Sequence, residues 1–272
     1  MKSLNEKVVV ITGASSGIGK ALATEFAGRG ASLVVAARNY VTLCELTESL
    51  IKQYGIKAVA VQCDVSVEED CDHLIKQTIL TFGRIDILIN NAGISMRALF
   101  KDVDLKVLKT LMDVNFWGTV YCTKYALPHI TKTQGSIVGV SSVAGYKGLP
   151  GRSGYSASKF AMNGFLDVLR VENLKTGVHV LTACPGFTAS NIRNTALSKD
   201  GSQQGETHME EEKLMTAEEV AKQIAGGVEN HARTLVMTRQ GKLAVLFSKF
   251  APGLLDKLVY KTFAKEKDAL LK

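Results

Sequence analysis

The chain has only five cysteines, at positions 44, 63, 71, 122 and 184, with no CxxC pair and no histidine at zinc spacing. That excludes a disulfide scaffold, and nothing else in the sequence requires a metal. It points to ordinary buried thiols in a reducing, cytoplasmic setting. No stretch reaches eighteen apolar residues, so the sequence holds no membrane span. The first thirty residues lack the basic–apolar–small order of an export signal, because MKSLNEK runs straight into VVVIT. No linker rich in Pro, Gly or Ser divides the chain. No basic stripe interleaved with aromatics runs through the body, which argues against nucleic acid. The net charge of +7 looks basic, but residues 242–272 hold seven Lys against three Asp or Glu, so +4 of it lies there. A body near +3 suits an anionic cofactor better than a polyanionic partner.

What is present is a regular alternation over 272 residues, of which 46% are hydrophobic and 22% charged. Strands are expected at 7–12, 32–37, 57–62, 85–90, 135–141, 178–184 and 234–238. Several are near-continuous apolar runs, as a parallel sheet covered on both faces requires. Helices are expected near 17–29, 40–54, 67–82, 103–132, 153–175 and 216–231. The last opens on Thr216 with Glu219 three residues on, a capping box. Strand–helix alternation with right-handed crossovers gives one α/β domain, a Rossmann-like doubly wound sheet of about seven parallel strands over residues 1–241. Residues 187–215 are polar and too long for a plain connection, which suits a lid. Residues 242–272 form an amphipathic extension, with Leu243, Leu246, Phe247 and Phe250 on one helical stripe ahead of Pro252-Gly253.

The first strand runs into Thr12-Gly13-Ala14-Ser15-Ser16-Gly17-Ile18-Gly19. Glycines at 13, 17 and 19 permit a tight turn and close approach of a ligand. The helix that follows offers unpaired N–H groups to a pyrophosphate. Neither GxxxxGK[ST] nor GxGxxG fits this spacing, and Ala21 stands where the first would need a hydroxyl. Tyr155 and Lys159 are i and i+4, sharing one helix face. An ammonium held beside a phenol favours its ionised form. Such a tyrosine could exchange a proton with a substrate oxygen. Ser142, at the end of the fifth strand, could hydrogen-bond the same oxygen. An isolated Tyr-x3-Lys is commonly only a surface pair.

TGxxxGxG, Asn90-Asn91-Ala92-Gly93 after the fourth strand, Val114-Asn115-Phe116-Trp117-Gly118, Ser142-x12-Tyr155-x3-Lys159 and Pro185-Gly186 follow one another in register. Together they resemble the short-chain dehydrogenase/reductase family over roughly residues 5–240. The resemblance implies a hydride transfer between a nicotinamide cofactor and a carbonyl or secondary alcohol. Tyr155 would be the acid/base, Lys159 its activator and a ribose ligand, Ser142 the oxygen stabiliser and Asn115 a water-holding relay. Ser141 would be a bystander. It further implies cofactor contacts at Gly13, Ser15, Ser16, Gly17, Ile18, Gly19, Asn91, Ala92, Gly93, Tyr155, Lys159, Pro185, Gly186, Thr188 and Ser190. Asp64 and Val65 would meet the adenine, although Asp64 could instead cap a helix with Ser66 and Glu69 as a capping box.

After the second strand stands Ala37-Arg38-Asn39, where NAD-binding folds carry an acid for the ribose 2′-hydroxyl. Arg38 can instead fork onto a 2′-phosphate, so the expected cofactor is NADP(H). Phe187, Met96, Leu99, Tyr146, Leu149 and Leu197 are candidate pocket walls, or core. They lean toward an apolar ketone, steroid or lipid-like substrate. The family also implies a homodimer or homotetramer through the long helices. The tail, which resembles that of membrane-associated relatives, could pack on a partner subunit or over the site, or lie peripherally on an anionic bilayer. Rival readings on the same fold are a non-catalytic dinucleotide sensor or scaffold and a peripheral membrane protein.

Overall fold

A computed structural model describes residues 4–188, 192–205, 214–265 and 269–271. Seven parallel strands form one sheet in the order β3-β2-β1-β4-β5-β6-β7. They are β1 (Val8–Thr12), β2 (Ser32–Ala37), β3 (Ala58–Gln62), β4 (Ile87–Asn90), β5 (Ser136–Val140), β6 (His179–Cys184) and β7 (Thr234–Val236). The helices between them are α1 (Gly17–Gly28), α2 (Tyr40–Tyr54), α3 (Glu68–Phe82), α4 (Leu105–Met112), α5 (Gly118–Thr133), α6 (Ser153–Glu172) and α7 (Ala217–Glu229). Two more, α8 (Arg239–Phe250) and α9 (Pro252–Phe263), follow β7.

The period of two along each strand divides the core. Val9, Ile11, Leu33 and Val35 face the layer that contains Leu22, Phe26, Leu43 and Ile224. Val10, Val34, Leu88 and Ile137 face Leu74, Cys122, Ile130 and Leu166 on the other side. Both sides being covered, neither residue class along a strand can be polar, which accounts for runs such as VVVIT. Strand order reverses between β1 and β4, and ligands of doubly wound sheets bind in the crevice beyond such a switch point.

Two expectations are corrected in detail. The stretch 103–132 is not one α-helix: α4 and α5 are joined by a π-helical turn, Asp113–Trp117, centred on Asn115. Widened turns of this kind occur where a side chain must be re-aimed, commonly at functional sites. The Ser66–Glu69 capping box does not form. The cap position of α3 is Val67, without a side-chain bond, and the Ser66 hydroxyl and N–H both donate to Asp64. The two amphipathic patterns of the tail form two helices that part at Ala251, and Pro252 opens α9 within its first turn, where its missing N–H costs nothing. The Thr216–Glu219 capping box forms as the sequence requires.

Candidate active site

The glycine-rich turn is built against the loop after β4. The Thr12 hydroxyl accepts from the backbone N–H of Asn91 (3.0 Å) and Ala92 (3.1 Å). The Asn91 amide donates back to the carbonyls of Thr12 (2.9 Å) and Gly13 (3.2 Å). Asn91 therefore ties the two loops together. Gly13 sits at φ +67° and Gly17 at φ +51°, both in the left-handed region. Gly19 answers a different need: a Cβ there would lie 2.1 Å from the Gly13 carbonyl oxygen. Its bareness lets α1 close onto the turn, so it serves packing rather than ligand approach. The N-terminus of α1 is left available. Ser16 makes no side-chain capping bond, and the first turn carries no acid. Free N–H groups with a positive dipole end fit a pyrophosphate.

Ser142 ends the segment after β5, and its Oγ accepts from the Ala144 N–H at 3.1 Å. With that lone pair used, the hydroxyl proton is free to point at a substrate oxygen. Ser141, in contrast, is buried at 4% exposure. Tyr155 and Lys159 lie on the first turns of α6. Lys159 is 3% exposed and donates to the Val140 carbonyl at 2.9 Å, with its Nζ 5.8 Å from the Tyr155 ring centroid. The ammonium thus lies over the ring, not at the hydroxyl. Burial pushes Lys159 down to about 8. Burial likewise raises the Tyr155 phenol above its ordinary value, against the opposing pull of the Ser142 hydroxyl and the Arg152 guanidinium. The net direction for the phenol in the protein alone is therefore upward, set by burial.

Asn115 is fully buried in the π turn. Its Oδ1 accepts from the Ile94 N–H (2.8 Å), and its Nδ2 donates to the Ile94 carbonyl (3.0 Å) and the Ser158 hydroxyl (2.9 Å). Both amide hydrogens are used, so this side chain pins the loop after β4 to α6. Gly93 lies directly in front: a Cβ there would stand 3.1 Å from Asn115 Oδ1 and 3.5 Å from Lys159 Nζ. That bare face above a buried cation suits the ribose of a nicotinamide nucleotide. Together with the uncapped α1 terminus, the residues present fit a dinucleotide.

Other expected contacts are distributed around this crevice. Arg38 is exposed beyond β2, and among the described residues its guanidinium has no acidic partner. Asp64 and the buried Val65 follow β3, Asp64 held in a turn by Ser66. Ser15 and Ile18 belong to the glycine-rich turn. The Pro185 carbonyl accepts from the Val143 N–H, and Gly186 abuts Thr238, which caps α8. Thr188 is 6% exposed, and its carbonyl accepts from Arg193 at 3.0 Å. Ser190 lies outside the described residues.

The lid is docked where it is described. Leu197 pairs with Met96 and with Gln203, and Thr188 with Met215. Among the candidate walls, Met96 is fully buried and its sulfur accepts from the Gly154 N–H, so it is core. Leu149 lines a separate cleft of about 430 Å³ between the 147–150 loop and α9, which neither Ser142 nor Tyr155 reaches. The end of the tail packs beside the start of α6: Leu270 lies against Gly151, and Phe263, Leu270 and Leu271 gather at Arg97, Pro150 and Arg152. Sequence reading missed Arg152 and Ser95, joined at 2.8 Å, because neither belongs to a recognisable motif.

Comparison with known proteins agrees with this geometry. The family model described as short chain dehydrogenase matches residues 7–201. An 11-beta-hydroxysteroid dehydrogenase 1A of Arabidopsis thaliana is 36% identical over 274 residues, covering 96% of this chain and 77% of the relative. An 11-beta-hydroxysteroid dehydrogenase of Pinus massoniana is 34% identical, covering 94% and 73%. An alcohol dehydrogenase of the archaeon Thermococcus sibiricus, solved with 5-hydroxy-NADP, shares the fold at a TM-score of 0.75 and 23% identity, over 85% of this chain and 95% of that one. A serine–tyrosine–lysine set beyond the switch point, on a chain matched across its strands and its motifs, makes this protein a member of the short-chain dehydrogenase family of oxidoreductases.

Proposed function

We propose that the protein uses NADP(H) to interconvert a carbonyl and a secondary alcohol on an apolar, steroid- or lipid-like substrate. The observation that carries the reading is the convergence of Ser142, Tyr155 and Lys159 on one crevice, with Arg38, which has no acidic partner among the described residues, where an NAD-binding chain carries an acid. A bound nicotinamide supplies the hydride chemistry. The chain's own residues do the rest. Ser142 donates its hydroxyl proton to the substrate oxygen and fixes it. Tyr155, held protonated by burial, gives its proton to that oxygen as negative charge develops during reduction. Lys159 and Gly93 frame the ribose. The names of the plant relatives support a steroid-like substrate, and reduction is the direction that a protonated tyrosine favours.

Fluorescence titration with NADPH and NADH tests the cofactor. Arg38→Ala is expected to weaken NADPH by roughly 10- to 100-fold, the worth of a charge-assisted fork, and to leave NADH unchanged. Equal loss for both, or none, overturns the NADP(H) reading.

The same proposal places the protein in the cytoplasm as a homodimer or homotetramer. Trp117 (43%), Phe160 (47%), Val168 (57%) and Val171 (59%) leave apolar surface exposed on the π turn and α6. The tail adds Leu243, Leu246, Phe250, Leu254 and Leu258, all more than 45% exposed, which we assign to a partner subunit rather than a bilayer. Light scattering is expected to give at least twice the chain mass; a monomer at micromolar concentration would remove this assignment.

A further inference from the structure

The segment that joins Ser142 to Tyr155 has little structure of its own. It opens with a 3-10 turn, Val143–Gly145, and this turn aims the serine. The Ala144 N–H donates to Ser142 Oγ, and the Gly145 N–H donates to the Ser142 carbonyl. The Val143 carbonyl then accepts from Tyr146 (3.0 Å) and Lys147 (3.2 Å). Beyond Lys147 the support thins out. From Gly148 to Gly151, only the Leu149 N–H finds an acceptor among the described residues, the Ser156 hydroxyl at 3.3 Å. The course of this stretch is set by what packs against it.

The residues after β7 meet it in chain order. At the start of α8, Gly241 is seated against Val143: a Cβ there would stand 2.7 Å from Val143 Cγ2. Gly241 is itself fixed, because its N–H donates to the capping hydroxyl of Thr238 at 3.0 Å. Four residues on from Val143, Lys147 is paired with Asp256 of α9. Both side chains line the cleft beside Leu149, so the ion pair bridges a gap that apolar packing does not fill. Four residues further, Gly151 is buried under Leu270, whose Cδ1 would lie 2.6 Å from a Cβ at that glycine. Positions 143, 147 and 151 thus receive 241, 256 and 270. Along α9, Leu255, Val259 and Phe263 are buried or half-buried, whereas Leu254 and Leu258 are exposed. The face that holds the segment is therefore not the face assigned to a partner subunit.

We infer that the C-terminal extension is a clamp on the segment between Ser142 and Tyr155. Gly241 and Asp256 are its positioning residues, acting through Val143 and Lys147 on the aim of the Ser142 hydroxyl. The consequence in turnover rests on the oxidoreductase reading; the clamp itself does not. Val143 is where the contacts converge. It is pressed by Gly241, holds Lys147 through its carbonyl, donates its N–H to the Pro185 carbonyl at 3.3 Å and adjoins Ser142. A hydroxyl that meets developing negative charge is effective only when already in place, and a displacement of about 1 Å costs on the order of a hundredfold in rate.

Hydrogen exchange of peptides covering residues 142–152 tests the clamp in the full chain, without substrate. The proteins compared are wild type, Gly241→Ala, Asp256→Lys and the exchanged pair Lys147→Asp/Asp256→Lys. Exchange is expected to quicken about tenfold in Gly241→Ala, where the new methyl overpacks Val143. In Asp256→Lys it quickens about twofold to fivefold, as loss of a partly exposed ion pair implies, and the exchanged pair restores it. Turnover of an apolar ketone falls by similar ratios, while NADPH affinity holds. Ser142→Ala separates aim from general damage: on that background each substitution changes kcat by less than about twofold, because the group it misplaces is gone. Equal losses with and without the Ser142 hydroxyl overturn the inference. So does unchanged exchange over 142–152, or an exchanged pair that recovers nothing. If Gly241→Ala fails to fold, Asp256→Lys, at a side chain 64% exposed, decides alone. Absence of turnover in wild type sinks the oxidoreductase reading and leaves the exchange result standing.

Discussion

Tyr155→Phe is expected to lower turnover by about 10³-fold, roughly 4 kcal/mol of transition-state stabilisation, while leaving cofactor affinity within about twofold of wild type. The two parts follow from different atoms. The phenol oxygen has one chemical task, passing a proton to an oxygen that Ser142 also contacts, and no nearby group can replace it. Lys159 donates to the Val140 carbonyl and lies over the ring, so its proton is not directed at that point. Ser142 has a hydroxyl but no route for recovering a proton once it is given. The ring itself packs with Met96, Val107 and Leu111, and phenylalanine preserves those contacts. The pyrophosphate site at α1 and the Gly93 face do not involve the phenol. Steady-state rates with an apolar ketone, beside an NADPH titration, check both parts. Turnover within tenfold of wild type would remove Tyr155 as the acid, and a matching loss of NADPH affinity would recast it as a binding residue.

Much of this site is legible in the sequence, and the reasons are local. The strand–turn–helix context of Thr12–Gly19 needs only neighbouring residues to be recognised, and Tyr155 with Lys159 needs only helical spacing. Thr216 with Glu219 is likewise a short-range pattern, and it forms as read. Failures occur where a neighbouring group competes for the same side chain or where distant segments decide. Ser66 with Glu69 has the same capping signature, but Asp64 captures the serine and the helix starts later. Asn115 cannot reveal a π turn from its own sequence; the turn arises because its amide meets Ile94 and Ser158, residues 21 and 43 positions away. Gly19 reads as a ligand-facing glycine, although the obstacle to its Cβ is the Gly13 carbonyl. Arg152 carries no motif at all. Its place depends on a hydroxyl 57 residues earlier and on the chain's last apolar residues. The direction of the tyrosine's shift is missed for a related reason, since helical spacing shows that a lysine is near but not how deeply it is buried.

That depth makes Lys159 the site of the second large effect. An ammonium at 3% exposure with one carbonyl partner is poorly solvated, and burial lowers its value from 10.5 to about 8. Below pH 8 both folded and unfolded chains hold the proton, and the folded state carries the whole cost, about 3 kcal/mol for a shift of this size. Between about 8 and 10.5 the unfolded chain still binds the proton while the folded chain has released it, so this group makes stability rise with pH. Lys159→Met abolishes the rise. At pH 7 the variant escapes the ammonium's cost but leaves the Val140 carbonyl unpaired, a loss of about 1–2 kcal/mol. It should therefore be slightly more stable than wild type there, by about 1 kcal/mol, and nearly inactive. Raising the pH to 10 reverses the order, because wild type gains about 2–3 kcal/mol that the variant cannot. Urea unfolding of both proteins at pH 7, 8, 9 and 10 measures the difference, and the other titrating groups cancel in it. Parallel stability curves would mean that Lys159 is solvated like a surface lysine. A crossing between pH 8 and 10 would show that the protein keeps a destabilising cation in its interior, which only a function at that position explains.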